Sequence, residues 1–255
     1  MIDPTIVVDR SHWGRLEVRG TDRVRFLQGL TTVDVEKLGD GQHKWGAILS
    51  PKGRVLAVID VAHVGDAIVL TCQADLLAKV RAVLERYAVM DDVTFDEAMG
   101  PLHQTLGDPW TAPFSPGVPD GALAETDHAV EVARIRAGFL TYGVDVDEDH
   151  FPFETPLAGF LDYDKGCYVG QEPVFRVHAQ GNAARTLRGL VIAGTAPIAN
   201  PAVAHPSKDN AGTVTSSIVD GDHTLALAYL HRTCWEPGGT VTVDGRTATV
   251  HALPW

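Results

Sequence analysis

Cysteine is scarce in this chain of 255 residues: only Cys72, Cys167 and Cys234 occur. They contain no C-x-x-C pair, so zinc-ribbon and dithiol redox chemistry are not expected. A sparse, odd count suits a reducing compartment, and a cytoplasmic location is expected. Histidine is commoner, at 11 residues, but no H-x-x-x-H or H-E-x-x-H pair occurs, so no metal site is expected. Positive charge is also short. Lys and Arg number 21 against 33 Asp and Glu, a net charge of −12. So acidic a chain repels a phosphate backbone, which argues against non-specific nucleic-acid binding but leaves room for a local basic pocket for a small anion. No apolar run approaches the roughly 20 residues of a spanning helix, so no membrane partner is expected. The opening MIDPTIVVDR lacks a basic segment followed by an apolar one, and no secretory signal is expected. What is present, 45% apolar and 21% charged residues at a mean hydropathy of zero, is globular composition. The length fits one or two domains with an ordinary core.

The pattern along the chain alternates early between strand and helix. Residues 15–18 read as a strand, and Val24, Leu27 and Leu30 follow at helical spacing behind Thr21 or Asp22 as N-cap. Residues 44–50 and 53–63 flank Ser50-Pro51-Lys52-Gly53, which is turn chemistry and predicts a hairpin. A third strand follows at 67–72. Residues 74–90 then place Leu77, Val80, Leu84 and Tyr87 on one helical face. The proline- and glycine-rich stretch 100–128 predicts a loop or irregular crossing in which Leu102, Leu106 and Trp110 can pack. Residues 130–135 (VEVARI) read as a strand. From about residue 186 short β-type runs recur, and Asp244-Gly245 predicts a type I′ hairpin over 240–250. Tightly joined strands with helices to one side indicate an α+β fold, and the C-terminal runs indicate a small β-barrel. Cys72 falls in a predicted strand, and Trp235 and Trp255 read as packing residues of the barrel.

The densest chemistry lies in 164–176, DKGCYVGQEPVFR. Glycines bracket Cys167-Tyr168 and permit unusual backbone or close approach. In an extended run, positions i and i+2 share a face, which would put the Lys165 ammonium near the Cys167 thiol and favour the thiolate. A lone cysteine is also commonly a small buried hydrophobe, so the residues alone leave both readings open.

The string KGCYVGQE (165–172) resembles the signature of the YgfZ family, folate-binding proteins of iron–sulfur cluster assembly and repair. That family is related to the aminomethyltransferase, or T-protein, of the glycine cleavage system. Further segments are similar: Gly20-Thr21-Asp22-Arg23 with Phe26-Leu27-Gln28-Gly29, the turn SPKGRVLA (50–57), ARIRAGFLTYGVDVDEDHFPFE (133–154) and VHAQGNAARTLRGL (177–190). The resemblance implies three subdomains in a ring with folate in the central hole. Residues 1–185 would form two interleaved α+β subdomains that bind folate, and 186–255 the barrel. It implies tetrahydrofolate or a derivative as ligand and iron–sulfur proteins as clients. Cys167 and Lys165 become the candidate catalytic pair. Glu154, Tyr168, Gly170, Gln171, Glu172, Arg176, Arg136 and Tyr142 become the candidate folate contacts. Arg176 either holds an anionic folate tail through a bidentate fork or pairs with Glu172 on the surface. Tyr168 either stacks on the pterin or fills the core.

Two departures stand out. T-proteins carry an acid where this chain has Ala78, and a carboxylate in the R-L-E-A-G motif where it has Arg136, a group that cannot accept pterin N–H bonds. The alternatives are a folate-dependent one-carbon transferase lacking the usual acid, or a relative that uses the cavity for another ligand.

Overall fold

In the computed structural model, which describes residues 6–181 and 183–255, the chain begins with β1 (Val7–Asp9), β2 (Gly14–Arg19) and α1 (Arg23–Gln28). There follow β3 (His43–Leu49), β4 (Val55–Val64), β5 (Ala67–Cys72), α2 (Leu77–Tyr87) and β6 (Thr94–Ala98). The middle holds β7 (Leu102–Thr105), β8 (Ser115–Pro116), α3 (His128–Ala137) and α4 (Gln171–Gln180). The chain ends with β9 (Arg185–Ala193), β10 (Ala202–His205), β11 (Lys208–Asp220), β12 (His223–His231), β13 (Thr240–Val243) and β14 (Arg246–His251).

These elements make three modules. The first is a five-stranded antiparallel sheet of order β3-β4-β5-β2-β6. Alternation sorts its faces: Leu16 and Val18 of β2 are buried with Ile59, Leu70, Leu27 and Leu84 in one core under the helices, while Arg15 and Glu17 point the other way. The second is a small sheet β1-β7-β8 with α3 beside it. The third is a closed barrel of order β10-β11-β12-β9-β14-β13. Its strand β12 is buried on both faces, which explains its unbroken apolar run LALAYL. Leu225, Leu227 and Tyr229 join the core shared with the other modules, and Ala226, Ala228 and Leu230 fill the barrel.

One buried carboxylate ties the barrel to the middle module. Asp145 is fully buried and accepts from Arg134 (2.6 Å), the Thr141 N–H (3.0 Å) and the hydroxyls of Thr215 (2.6 Å) and Ser216 (2.7 Å). The Tyr229 hydroxyl donates to its backbone carbonyl at 2.8 Å.

The α+β class and the C-terminal barrel are as read from the sequence. The Asp244-Gly245 turn has φ of 48° and 76°, the positive pair that a type I′ turn requires. The 130–135 strand is overturned: this run lies in α3. The β-branched residues suggested a strand, but Val130, Ala133 and Ala137 are buried at i, i+3 and i+7, a helical stripe. Within 100–128, Leu102, Leu106 and Trp110 are buried as expected, but the stretch also supplies β7 and β8. Asp22 stands at the N-cap of α1 without making the capping bond. Its carboxylate instead accepts from the Asp92 N–H at 2.9 Å.

Candidate functional site

The segment 164–172 is seated on the first module by backbone and side-chain contacts. The Lys165 ammonium is buried and donates to the carbonyls of Gln28 (2.7 Å), the last residue of α1, and Thr31 (2.5 Å), just past it. It also lies 4.9 Å from the centre of the Tyr168 ring. The Gln28 amide donates back to the Lys165 carbonyl at 2.9 Å. Burial pulls the Lys165 pKa down to about 8, against the pull of Asp34 and Asp162. Val169 N–H donates to the Gly29 carbonyl at 3.0 Å. Gly170 has φ +81°, and a Cβ there would lie 2.4 Å from the Ser50 carbonyl oxygen. Only glycine fits, because the signature loop lies directly against the Ser50–Gly53 turn.

Gly166, at φ +87°, turns the chain so that Lys165 and Tyr168 point inward and Cys167 points to solvent. The extended geometry that would have placed ammonium beside thiol is therefore absent. Lys165 fastens the loop and faces the carbonyls of residues 28 and 31. Cys72 and Cys234 are buried, so Cys167 is the exposed member of the three.

Cys167 opens onto a groove of about 570 Å³ along α4. Gln171, Glu172, Phe175 and Arg176 line it with Tyr163. Tyr163 stacks on His178 with ring centres 3.7 Å apart, and Phe175, 46% exposed, meets Tyr163 edge-on. No ion pair joins Arg176 to Glu172 among the described residues, so both charges are available at the groove. Sequence reasoning named Cys167, Gln171, Glu172 and Arg176 but missed the aromatic wall. Tyr163 and Phe175 flank the signature 12 residues apart, and only the turn of α4 brings them together.

The remaining predicted contacts lie elsewhere. Tyr168 is core, 6% exposed, its hydroxyl without a partner and its pKa pushed up to about 12 by burial. Glu154 is buried and pairs with Arg185 at 2.9 Å. It lines a separate cavity of about 530 Å³ against the barrel, with His150 and Tyr229. Arg136 ends α3 and pairs with Asp220 of β11 at 2.8 Å. Tyr142 accepts from Lys79 at 2.8 Å and donates to the Val55 carbonyl at 3.4 Å. Ala78 and Asp75 are both exposed. The neighbouring Gln73 turns inward, its side-chain oxygen accepting from the Tyr142 N–H at 2.6 Å.

Aromatic rings meet in the core that the three modules share. Trp45 meets Trp110, Phe114 and Phe139 at 5.5, 5.8 and 5.1 Å, and Trp13 meets Phe114 at 5.2 Å. The Cys167 groove offers Glu172 as an acceptor, Tyr163 and Phe175 as apolar faces and Arg176 as a partner for a carboxylate, while the Gln171 side-chain oxygen accepts from the Tyr168 N–H at 3.2 Å.

Residues 3–106 match the GCVT N-terminal domain. Over 95 residues the chain is 36% identical to the tRNA-modifying protein YgfZ of Hamiltonella defensa, covering 37% of this chain and 28% of that one. With the tRNA-modifying protein YgfZ of Yersinia enterocolitica the match is longer, 23% identity over 73% of this chain and 71% of that one. The crystal structure of the glycine cleavage system aminomethyltransferase T from Bartonella henselae superposes with a TM-score of 0.82 at 19% identity, covering 97% of this chain and 85% of that one. No helix among the described residues is long and apolar enough to cross a membrane.

Proposed function

We propose, from the premise that this chain is a YgfZ-like protein with the GcvT fold, that it supports iron–sulfur cluster assembly or repair in the cytoplasm, with a reduced folate as its ligand. The observation that carries this reading is the presentation of Cys167. One thiol of three is held at the surface by a loop locked through Lys165, Val169 and Gly170, beside a groove with folate-compatible groups. The thiol can engage a client's cluster or cysteines, and Gln171, Glu172 and Arg176 can orient the folate next to it. The YgfZ relatives are named tRNA-modifying, but a net charge of −12 opposes contact with an RNA backbone. We therefore place the action on a client protein, not on RNA.

Aminomethyl transfer of the T-protein kind is not expected. The acid position holds Ala78, exposed on α2, and Arg136 is committed to Asp220. Loss of one positioned acid or base costs about 10²–10⁴ in rate. Calorimetric titration with tetrahydrofolate tests the ligand. Binding that weakens at least tenfold in Arg176→Ala, with Cys167→Ala retaining it, supports the groove. No heat and no thermal shift at millimolar folate would remove it. A coupled assay with partner glycine-cleavage proteins should show no methylene-folate formation, and robust turnover would reinstate the transferase.

A further inference from the structure

A second cavity, of about 270 Å³, lies between the inner face of the five-stranded sheet and the stretch 100–117. Strand register builds its floor. Trp45, Asp60, Thr71 and Arg15 stand opposite one another across β3, β4, β5 and β2. His43, Ala62, Val69 and Glu17 form the next row on the same face. Neighbouring rungs are about 4.8 Å apart across the strands. Pro113 and Phe114 close the cavity from the other side.

The floor carries unused polar groups. Asp60 is 1% exposed, and one of its oxygens meets His43 Nδ1 at 2.6 Å. The other His43 nitrogen faces the Thr111 carbonyl at 3.0 Å. Among the described residues the second Asp60 oxygen has no hydrogen-bond partner, nor has the hydroxyl of Thr71, 3% exposed. Arg15 spends one terminal nitrogen on the Gly100 carbonyl at 3.0 Å, and its other N–H groups remain. Asp60 and Thr71 both line the cavity, so water or a ligand, not the protein, supplies the hydrogen bonds of these two oxygens. The row thus presents an acceptor, a hydroxyl and a donor in sequence, under an aromatic roof. The volume is just below the range of about 300–1,000 Å³ for drug-sized ligands, so it suits one ring system.

We infer that this cavity binds an aminated one- or two-ring heteroaromatic base, its exocyclic amine donating to Asp60 and its ring acceptor facing Thr71 and Arg15. Free nucleobases and the pterin head of a folate both carry that edge. The site is separate from the Cys167 groove and does not depend on it. The probe is 2,4-diaminopyrimidine, followed by saturation-transfer NMR and calorimetry on the full chain. Binding should weaken at least tenfold in Asp60→Asn. The same loss is expected in Ala62→Phe, which fills the cavity and leaves the His43–Asp60 pair in place. It should be unchanged in Arg176→Ala. Displacement of the probe by tetrahydrofolate in the Arg176→Ala protein would support the site and assign a pterin as its occupant. Displacement by cytosine alone would support it and assign a free base. Absence of probe binding, or binding that both cavity variants leave intact, would overturn the inference.

Discussion

At the scale of single residues, contacts decide what a side chain can do. Cys72 is fully buried with its pKa pushed up to about 12 by burial, and Cys234 is buried beside the Ala211 and His231 carbonyls. Brief alkylation followed by peptide mapping should therefore label Cys167 at least tenfold faster than either, because access and thiolate content set the rate. Lys165→Met should leave that labelling equal or faster, since the ammonium faces the Gln28 and Thr31 carbonyls. A tenfold slowing would restore an activating role. The same variant should lose about 1–3 kcal/mol for each carbonyl left without its donor, read by urea denaturation. His43 and Asp60 give a pH dependence. The hydrogen bond to Asp60 raises the His43 pKa, and burial raises that of Asp60, so the folded pair keeps its proton where the unfolded chain has released it. The stability from His43 is then fully present below its unfolded value of about 6.5 and is lost as pH rises through the higher folded value, and Asp60 acts in the same direction. Urea midpoints of wild type and His43→Gln should differ most at pH 6 and converge by pH 9, the low-pH gap corresponding to about 1.5–3 kcal/mol. A gap that widens with pH would contradict the shared proton.

At the scale of elements, the Ser50–Gly53 turn and the start of α4 form one joint. Gly170 stands at the N-cap of α4 in a left-handed conformation, and its missing Cβ leaves room for the Ser50 carbonyl. Gly170→Ala meets both the positive φ and that contact, so a loss of about 1–3 kcal/mol is expected. Thermal melting reads the loss, and faster proteolysis within 164–172 would show that it arises at this joint. An unchanged melting temperature would mean that the loop is not held against the turn. The α3 helix shows how an element can be misread. Its VEVARI core has strand-like residues, yet Gly138 closes it in a left-handed C-cap and Phe139 N–H returns to the Arg134 carbonyl at 3.0 Å.

At the scale of the whole molecule, the three modules share one core. Trp13, Trp45, Trp110, Phe139, Leu187 and Tyr229 belong to it, drawn from the first sheet, the middle and the barrel. The polar counterpart is Asp145, whose carboxylate joins Arg134 of α3 to Thr215 and Ser216 of β11. Arg134 keeps its bidentate pair with Glu131, but Asp145→Ala strands the Thr141 N–H and the Ser216 hydroxyl, so it should cost about 1–3 kcal/mol for each donor left unpaired. Because this carboxylate couples barrel and middle, the variant should also broaden or split the denaturation transition when tryptophan fluorescence and far-UV circular dichroism are compared. A single transition at the wild-type midpoint would show that the apolar core alone holds the barrel in place.

Local chemistry was enough to read the first hairpin, the barrel and the Asp244-Gly245 turn, because turn residues and alternation act over a few neighbours. The convergence of Cys167, Gln171, Glu172 and Arg176 was legible for the same reason: they sit within ten residues of one another, on one loop and the first turns of one helix. Tertiary structure decided the rest. Whether Lys165 meets the thiol depends on the φ of Gly166 and on carbonyls 134 and 137 residues away. Whether Glu154 and Arg136 face a ligand depends on Arg185 and Asp220, which the barrel supplies. The shared core is packed with indole and phenyl rings from residues 13 to 139. No local pattern encodes that meeting, because a side chain's partner across a core is set by the packing of whole modules and not by its sequence neighbours.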